Sequence, residues 1–283
     1  MCQEAQRLDF DISSTKAVIL PHAGHQFSGD VAATLFKNYK NNSIKRIVIF
    51  GTPHFYYEAS QGPFMLSPFQ AVRLGHESSM MIDETAVSNL LETYPELFTL
   101  LDEHSDTNEH SIEMILSFLP HSFNVNECKI LPIYVSNTAN VSEECGEALK
   151  EFIEDPHTFF IISSDFCHYG KSYRYEPFTS KEHSDLSKEI EKLDMSGIDL
   201  IVDKKNEEFR KYLKESKNTI CGRHGIALWL DLIRYLDIAE EFETKLLKYD
   251  QSYKIALRKW GERDRKFLSV SYAAIAFMHN SGH

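Results

Sequence analysis

The segment 158–170, T-F-F-I-I-S-S-D-F-C-H-Y-G, joins a fully apolar run directly to a group of reactive side chains. Residues 159–162 are aromatic or β-branched without alternation, which is typical of a strand buried on both faces in a parallel sheet. Asp165 and His168 follow the strand and share a face if the backbone continues as a helical turn. The segment predicts that an acid and an imidazole lie just beyond the carboxyl end of the strand. An Asp165 that caps the next helix and a His168 on the surface fit the segment equally well.

Two further apolar runs end in a similar way. Residues 16–20 (K-A-V-I-L) and 46–50 (R-I-V-I-F) are each followed within four residues by a histidine, His22 or His54. In open α/β sheets, ligands bind in the crevice beyond the carboxyl ends of the strands. Three strand ends therefore predict one shared pocket, and the side chains that they deliver to it are those of His22, His54, Asp165 and His168.

The rest of the chain alternates strand-like and helix-like segments. Residues 129–135 (K-I-L-P-I-Y-V) predict a strand in which Pro132 indicates an edge position or a bulge. Helices are predicted over 111–119 and 221–240, and closing strands over 245–252 and 268–277. No internal repeat or linker rich in Pro, Gly or Ser interrupts this order. We therefore expect one α/β domain over 1–283, with a central mostly parallel or mixed sheet and helices on both faces.

Composition excludes several classes of partner. The chain has 283 residues and a net charge of -12, which argues against nucleic acid and disfavours an anionic membrane surface. No signal peptide and no apolar run of membrane-spanning length occurs, so we expect no membrane insertion. The five cysteines are scattered, which favours reduced thiols in a cytosolic protein over a disulfide framework.

Cys221 differs from the other cysteines in its surroundings. It lies in N-T-I-C-G-R-H-G, at the predicted start of a long helix and beside Arg223. A helix N-terminus and a neighbouring cation favour the thiolate, which makes Cys221 a candidate nucleophile or metal ligand. The alternative is a small buried residue that packs beneath the helix.

Together these segments resemble the MEMO family, mediators of cell motility. The resemblance rests on P-H-A-G at 21–24, E-H-S-I-E-M at 109–114, S-S-D-F-C-H at 163–168, N-T-I-C-G-R-H at 218–224 and S-V-S-Y-A-A at 269–274. It implies a fold similar to class III extradiol dioxygenases of the LigB type. It also implies copper or iron binding, a cytoplasmic or additionally nuclear location, and a role in redox signalling and motility.

Matched motif by motif, the resemblance implies that His22, His54 and Cys221 bind the metal and that Asp165 and His168 line the same pocket. The related dioxygenases use two histidines and a carboxylate. A cysteine in that set is softer, favours copper and can itself be oxidised. Glu109 and His110 match the family's E-H-S-I-E segment, and we interpret them as outer residues of the site or as the start of a helix.

Three functions remain open at this point. A redox metalloprotein would hold one copper or iron ion while Asp165 and His168 move protons. A non-haem iron dioxygenase would use dioxygen and a small aromatic substrate, with His168 as general base and Arg174 binding an anion. A non-catalytic module would bind a phosphotyrosine peptide or signalling protein through residues such as Arg174 and His25. His25 stands where the family carries an aromatic residue, which favours packing for it.

Overall fold

Strands with apolar side chains on both faces form the centre of the molecule. A computed structural model describes residues 1–54, 62–75, 78–139, 143–178, 186–254 and 268–280. The strands are β1 (Thr15–Leu20), β2 (Arg46–Gly51), β3 (Phe64–Leu66), β4 (Ala71–Arg73), β5 (Ser79–Met81), β6 (Phe98–Leu100), β7 (Lys129–Val135), β8 (Thr158–Ser163), β9 (His168–Tyr169), β10 (Phe242–Gln251) and β11 (Ser269–His279).

The helices lie between these strands. They are α1 (His25–Asn38), α2 (Glu84–Thr93), α3 (Glu103–Asn108), α4 (Glu113–Leu116), α5 (Glu143–Glu154), α6 (Leu186–Val202), α7 (Asn206–Ser216) and α8 (Arg223–Tyr235), with short 3-10 turns at Leu119–His121, Lys171–Tyr173 and Ala239–Glu241. None of the helices in the described ranges is long and apolar enough to cross a membrane.

One mixed sheet contains nine of the strands in the described part of the chain. Their order is β10-β11-β1-β8-β2-β7-β3-β6, with β9 paired to β11, while β4 and β5 form a separate hairpin. The central strands β1, β8, β2 and β7 are parallel, and β11 and β3 run antiparallel to them on either side. The prediction of an α/β fold with a mixed sheet is therefore confirmed.

Two apolar cores lie on opposite faces of the sheet. Alternate residues of β1 point to opposite sides, so that Ala17 and Ile19 join one core and Val18 and Leu20 join the other. Helices α2 and α5–α8 contribute to the first core, and α1 and α4 contribute to the second. Because both faces of the central strands are covered, polar chemistry is confined to the strand ends.

The prediction of an edge or bulge at Pro132 is wrong. Strand β7 is interior, and Pro132 pairs in register with Ile49 of β2. The Ile130 carbonyl accepts the Asp83 N–H on the other side of β7, so by alternation the Pro132 nitrogen also faces that side. The pairing between β7 and β3 ends at Ile133. No residue of β3 is therefore paired with Pro132, where an N–H would be needed. An interior strand tolerates the proline because its neighbour ends there.

The two long predicted helices are shorter in the structure. The predicted helix over 111–119 reduces to α4 and a 3-10 turn that contains Pro120, which has no N–H to donate. The predicted helix over 221–240 is α8, which starts two residues later. It ends before Asp237, whose left-handed φ of 56° stops the helix.

The three strands that precede the reactive residues are neighbours. Strand β8 lies between β1 and β2, with Leu20 opposite Ser163 and Phe50 opposite Ile162. Since all three strands are parallel, their carboxyl ends meet at one edge of the sheet.

We expect Gly51→Ala to destabilise the protein by about 1–3 kcal/mol, because an added Cβ would lie 2.8 Å from side-chain atoms of both Ile112 and Tyr134. Gly24→Ala is the control, since its Cβ would meet only Phe27, at 3.7 Å. Urea unfolding of both variants measures the difference in the free energy of unfolding. Equal losses in the two variants would contradict this account.

Candidate metal centre

A buried carboxylate ties two of the strand ends together. Asp165, beyond β8, accepts hydrogen bonds on Oδ1 from the N–H groups of His22 at 2.9 Å and Ala23 at 3.3 Å. Burial raises the pKa of Asp165, although the nearby His168 opposes this effect. The Asp165 carboxylate thus positions the loop after β1, which carries His22.

The hydrogen bonds of His22 determine which of its ring nitrogens carries the proton. The Ser163 hydroxyl donates its single proton to the Ser111 carbonyl, so it can only accept from His22 Nδ1, 2.7 Å away. Burial, together with the neighbouring His54 and His110, lowers the pKa of His22 well below its usual value. His22 is therefore neutral, with the proton on Nδ1 and a free lone pair on Nε2.

His54 is oriented in the same way by a carboxylate. Its Nδ1 lies 2.9 Å from Glu109 Oε1, and its backbone N–H donates to the other oxygen of Glu109. Burial alone would raise the pKa of Glu109, but the hydrogen bonds and charge of His54 and the Ser111 N–H lower it to about 2. Glu109 is thus an ionised acceptor, so His54 Nδ1 donates and Nε2 is left as the ligand atom.

Cys221 completes the group from the segment that precedes α8. Its Sγ accepts the Asp165 N–H at 3.1 Å and lies 3.2 Å from His22 Nε2, which has no proton and therefore accepts the thiol hydrogen. Burial, and then the Asp165 charge, raise the pKa of the Cys221 thiol. Burial and the Asp165 charge thus oppose the thiolate that the helix start and Arg223 would favour. Arg223 donates to the Ile220 carbonyl instead.

The structure brings the three predicted ligands together. One ligand atom each from His22, His54 and Cys221 lie within 4.8 Å of one another. The donor set consists of one sulfur and two imidazoles whose protons are on Nδ1. Such a set suits a soft or borderline transition metal. The residues present therefore fit a metal ion.

His110, which the sequence indicated only as an outer residue of the site or as a helix start, contacts two members of this cluster. Its ring stacks on His54 with centroids 4.6 Å apart and meets His22 edge to face at 5.6 Å. Ligand atoms of His54, Glu109 and His110 form a second group within 4.8 Å. The sequence signal for His110 was the E-H-S-I-E motif. The interpretation of Glu109 as an outer residue of the site agrees with its contact to His54.

His168 is held by backbone groups at the edge of the pocket. Its Nδ1 donates to the carbonyls of Phe166 at 2.9 Å and Thr219 at 3.2 Å, since carbonyls only accept. The Tyr173 ring lies edge to face against it with centroids 5.0 Å apart. When His168 is neutral, its Nε2 is therefore the nitrogen that can accept a proton.

The two predicted substrate-binding residues, His25 and Arg174, belong to neither metal group. His25 begins α1, where its Nε2 donates to the Met114 carbonyl at 2.7 Å and its ring packs against Phe118. These contacts agree with the packing role that the sequence favoured. Arg174 is exposed, with a left-handed φ of 53° after the 3-10 turn, and its role in binding remains a prediction.

Comparisons with known proteins give the family to which the chain belongs. The family model described as Memo-like protein matches residues 2–276. The chain belongs to the Memo-like family. It is 32% identical to Protein MEMO1 of Danio rerio over 267 residues, which cover 93% of this chain and 85% of the relative.

Two further relatives show how widely this likeness extends. Protein MEMO1 of Homo sapiens is 31% identical over 273 residues, covering 93% of this Memo-like chain and 86% of the relative. Protein memo-1 homolog of Caenorhabditis elegans is 30% identical over 272 residues, covering 95% and 74%. The family resemblance inferred from the motifs is therefore confirmed.

The lowered pKa of Glu109 predicts how stability depends on pH. Because the pKa falls from 4.5 to about 2, the ionised form stabilises the folded state above pH 4.5, and this contribution is lost as the pH falls towards 2. It is worth up to about 3 kcal/mol. We expect the stability advantage of wild type over Glu109→Gln in urea unfolding to shrink as the pH falls from 4.5 towards 2. An advantage independent of pH would contradict this.

Proposed function

We propose that this Memo-like chain binds one copper or iron ion through His22, His54 and Cys221. The bound ion would support redox chemistry, either production of reactive oxygen species or metal homeostasis, linked to signalling and cell motility. The observation that carries the proposal is the approach of the three ligand atoms to within 4.8 Å, with both imidazoles oriented by partners at Nδ1.

The donor set favours copper over iron. Thiolate and imidazole ligands suit Cu(I), whereas a stable ferrous site usually includes a carboxylate. The two nearby carboxylates already have other partners, because Asp165 accepts the His22 and Ala23 N–H groups and Glu109 accepts from His54. Each carboxylate therefore already helps to position one of the two histidines.

A bound copper or iron ion would supply one-electron transfer to dioxygen or another small oxidant. The chain's own contribution is the movement of protons nearby. His168 Nε2 is an acceptor held in place by two carbonyl contacts at Nδ1, and Tyr173 packs over the ring and limits its movement. Cys221 must lose its thiol proton for sulfur to bind the ion.

We expect Cys221→Ser to lower the affinity for Cu(I) by at least about 100-fold, a larger loss than that caused by removing an outer partner of a ligand. The affinity is measured by competition with a Cu(I) chelator and by metal content after purification. Cys2→Ser is the control, because Cys2 is partly exposed near the start of the chain and belongs to neither metal group. Equal affinities in wild type and Cys221→Ser would refute the proposed site.

A ring-cleaving dioxygenase is the second candidate, and the arrangement of His168 favours it. A catechol-like substrate needs a base beside the metal, and the free Nε2 of His168 could accept its hydroxyl proton. Arg174, exposed and without a carboxylate partner among the described residues, could bind a substrate anion. This function also implies the dioxygenase-like fold that the resemblance suggested.

His168→Gln separates the two functions. If His168 is the base, this variant retains metal affinity within about threefold while oxygen uptake with catechol falls by about 100- to 10,000-fold. Oxygen electrode measurements on iron-loaded protein with and without catechol give the readout. No catechol-dependent uptake in wild type, combined with tight copper binding, would leave the redox metalloprotein.

A binding module for a phosphotyrosine peptide or signalling protein is the third candidate. The exposed Arg174 supports it, but His25 already donates Nε2–H to Met114. Such binding would persist in metal-free protein. The cytoplasmic and additionally nuclear location is proposed from the scattered free cysteines and the family resemblance.

A further inference from the structure

A second cavity, of about 420 Å³, lies between α7 and α8 and is separate from the ligand cluster. Five of its nine lining residues are basic and none is acidic, which contrasts with the net charge of -12 for the chain. The basic residues are Arg210, Lys214, Lys217, Arg223 and His224. A volume of this size matches sites for small molecules rather than single ions.

Most of the positive charge in this cavity is not neutralised. Arg210 forms an ion pair with Asp231 at 2.5 Å. Within the described ranges, Lys214, Lys217 and Arg223 have no carboxylate within 4.0 Å, and the guanidinium of Arg223 donates only to the Ile220 carbonyl. Three cations therefore remain for an anionic ligand.

The first turn of α8 adds to the positive potential. Arg223 and His224 are its first two residues, and no side chain caps this end of the helix. Burial first, and then the charges of Arg223 and Arg210, lower the pKa of His224 to about 4. Arg210 is paired with Asp231, so the positive charge that remains in the cavity comes from Lys214, Lys217 and Arg223.

We propose that this cavity is a binding site for a small phosphate ester or other phosphorylated molecule. Lys214, Lys217 and Arg223 would bind the phosphate oxygens, and the apolar wall formed by Leu213 and Ala227 would contact the rest of the ligand. The site requires no metal and is independent of the function proposed above.

One residue of the cavity wall contacts His168. Thr219 lines the cavity, and its hydroxyl accepts the His168 N–H at 2.8 Å and donates to the His168 carbonyl at 3.1 Å. Thr219 is also two residues from Cys221. A ligand that contacts Thr219 would thus change the environment of His168 through these hydrogen bonds.

Binding of inorganic pyrophosphate to the full metal-free chain tests the site. Calorimetry compares wild type with the double variant Lys214→Gln and Lys217→Asn, in which asparagine tolerates the left-handed φ of 56° at position 217. The control, Lys192→Gln with Lys211→Gln, also removes two charges from exposed lysines, each 72% exposed and outside the cavity. We expect at least about tenfold weaker binding in the cavity variant and no change in the control.

A second readout locates the ligand. In wild type, pyrophosphate should shift the backbone amide resonances of Thr219 and His168, and the cavity variant should show no such shift. If the double variant is less stable in urea, Lys214→Gln alone is compared with Lys211→Gln alone.

Three results would overturn the proposal. They are no binding by wild type at millimolar pyrophosphate, equal weakening in the cavity variant and the control, and binding of a phosphotyrosine peptide without any binding of pyrophosphate.

Discussion

Burial of β1, β8 and β2 on both faces is the constraint on which the rest of the molecule depends. Alternate side chains of these strands enter two separate cores, so no polar group can lie along their length without losing its solvation. Polar residues are therefore placed where the strands end. Because the three strands are adjacent and parallel, the residues that follow their carboxyl ends lie at one edge of the sheet. The metal-ligand cluster follows from strand order and burial.

The sequence allowed the central strands and the main members of the cluster to be predicted, because both depend on local patterns. Unbroken apolar runs mark doubly buried strands, and a histidine after such a run must lie at the sheet edge. The position of Pro132 was not predictable, since it depends on where β3, remote in sequence, stops pairing. The effect of Asp165 on the pKa of Cys221 was missed for a similar reason, because Asp165 comes from a segment 56 residues away.

The imidazoles of His22, His54 and His168 are each oriented by a chemically different partner. A serine hydroxyl binds His22, a carboxylate binds His54, and two backbone carbonyls bind His168. All three partners act at Nδ1, so Nε2 is the other nitrogen on each of these three rings. Differences in basicity then come from the partner, because a carboxylate makes an imidazole a stronger donor than a hydroxyl does. His54 is for this reason the most electron-rich of the three.

The hydrogen bond from the Cys221 thiol to His22 Nε2 has a consequence for the metal-free protein. Oxidants attack thiolates rather than thiols, so a protonated and hydrogen-bonded sulfur is shielded from peroxide until an ion arrives. An ion bound as proposed would have to displace this proton. Its uptake would then release one proton to solvent, and a drop of one pH unit would oppose metal binding by about tenfold. Acidification would release the ion, and Cys221 would return to its protonated, hydrogen-bonded form.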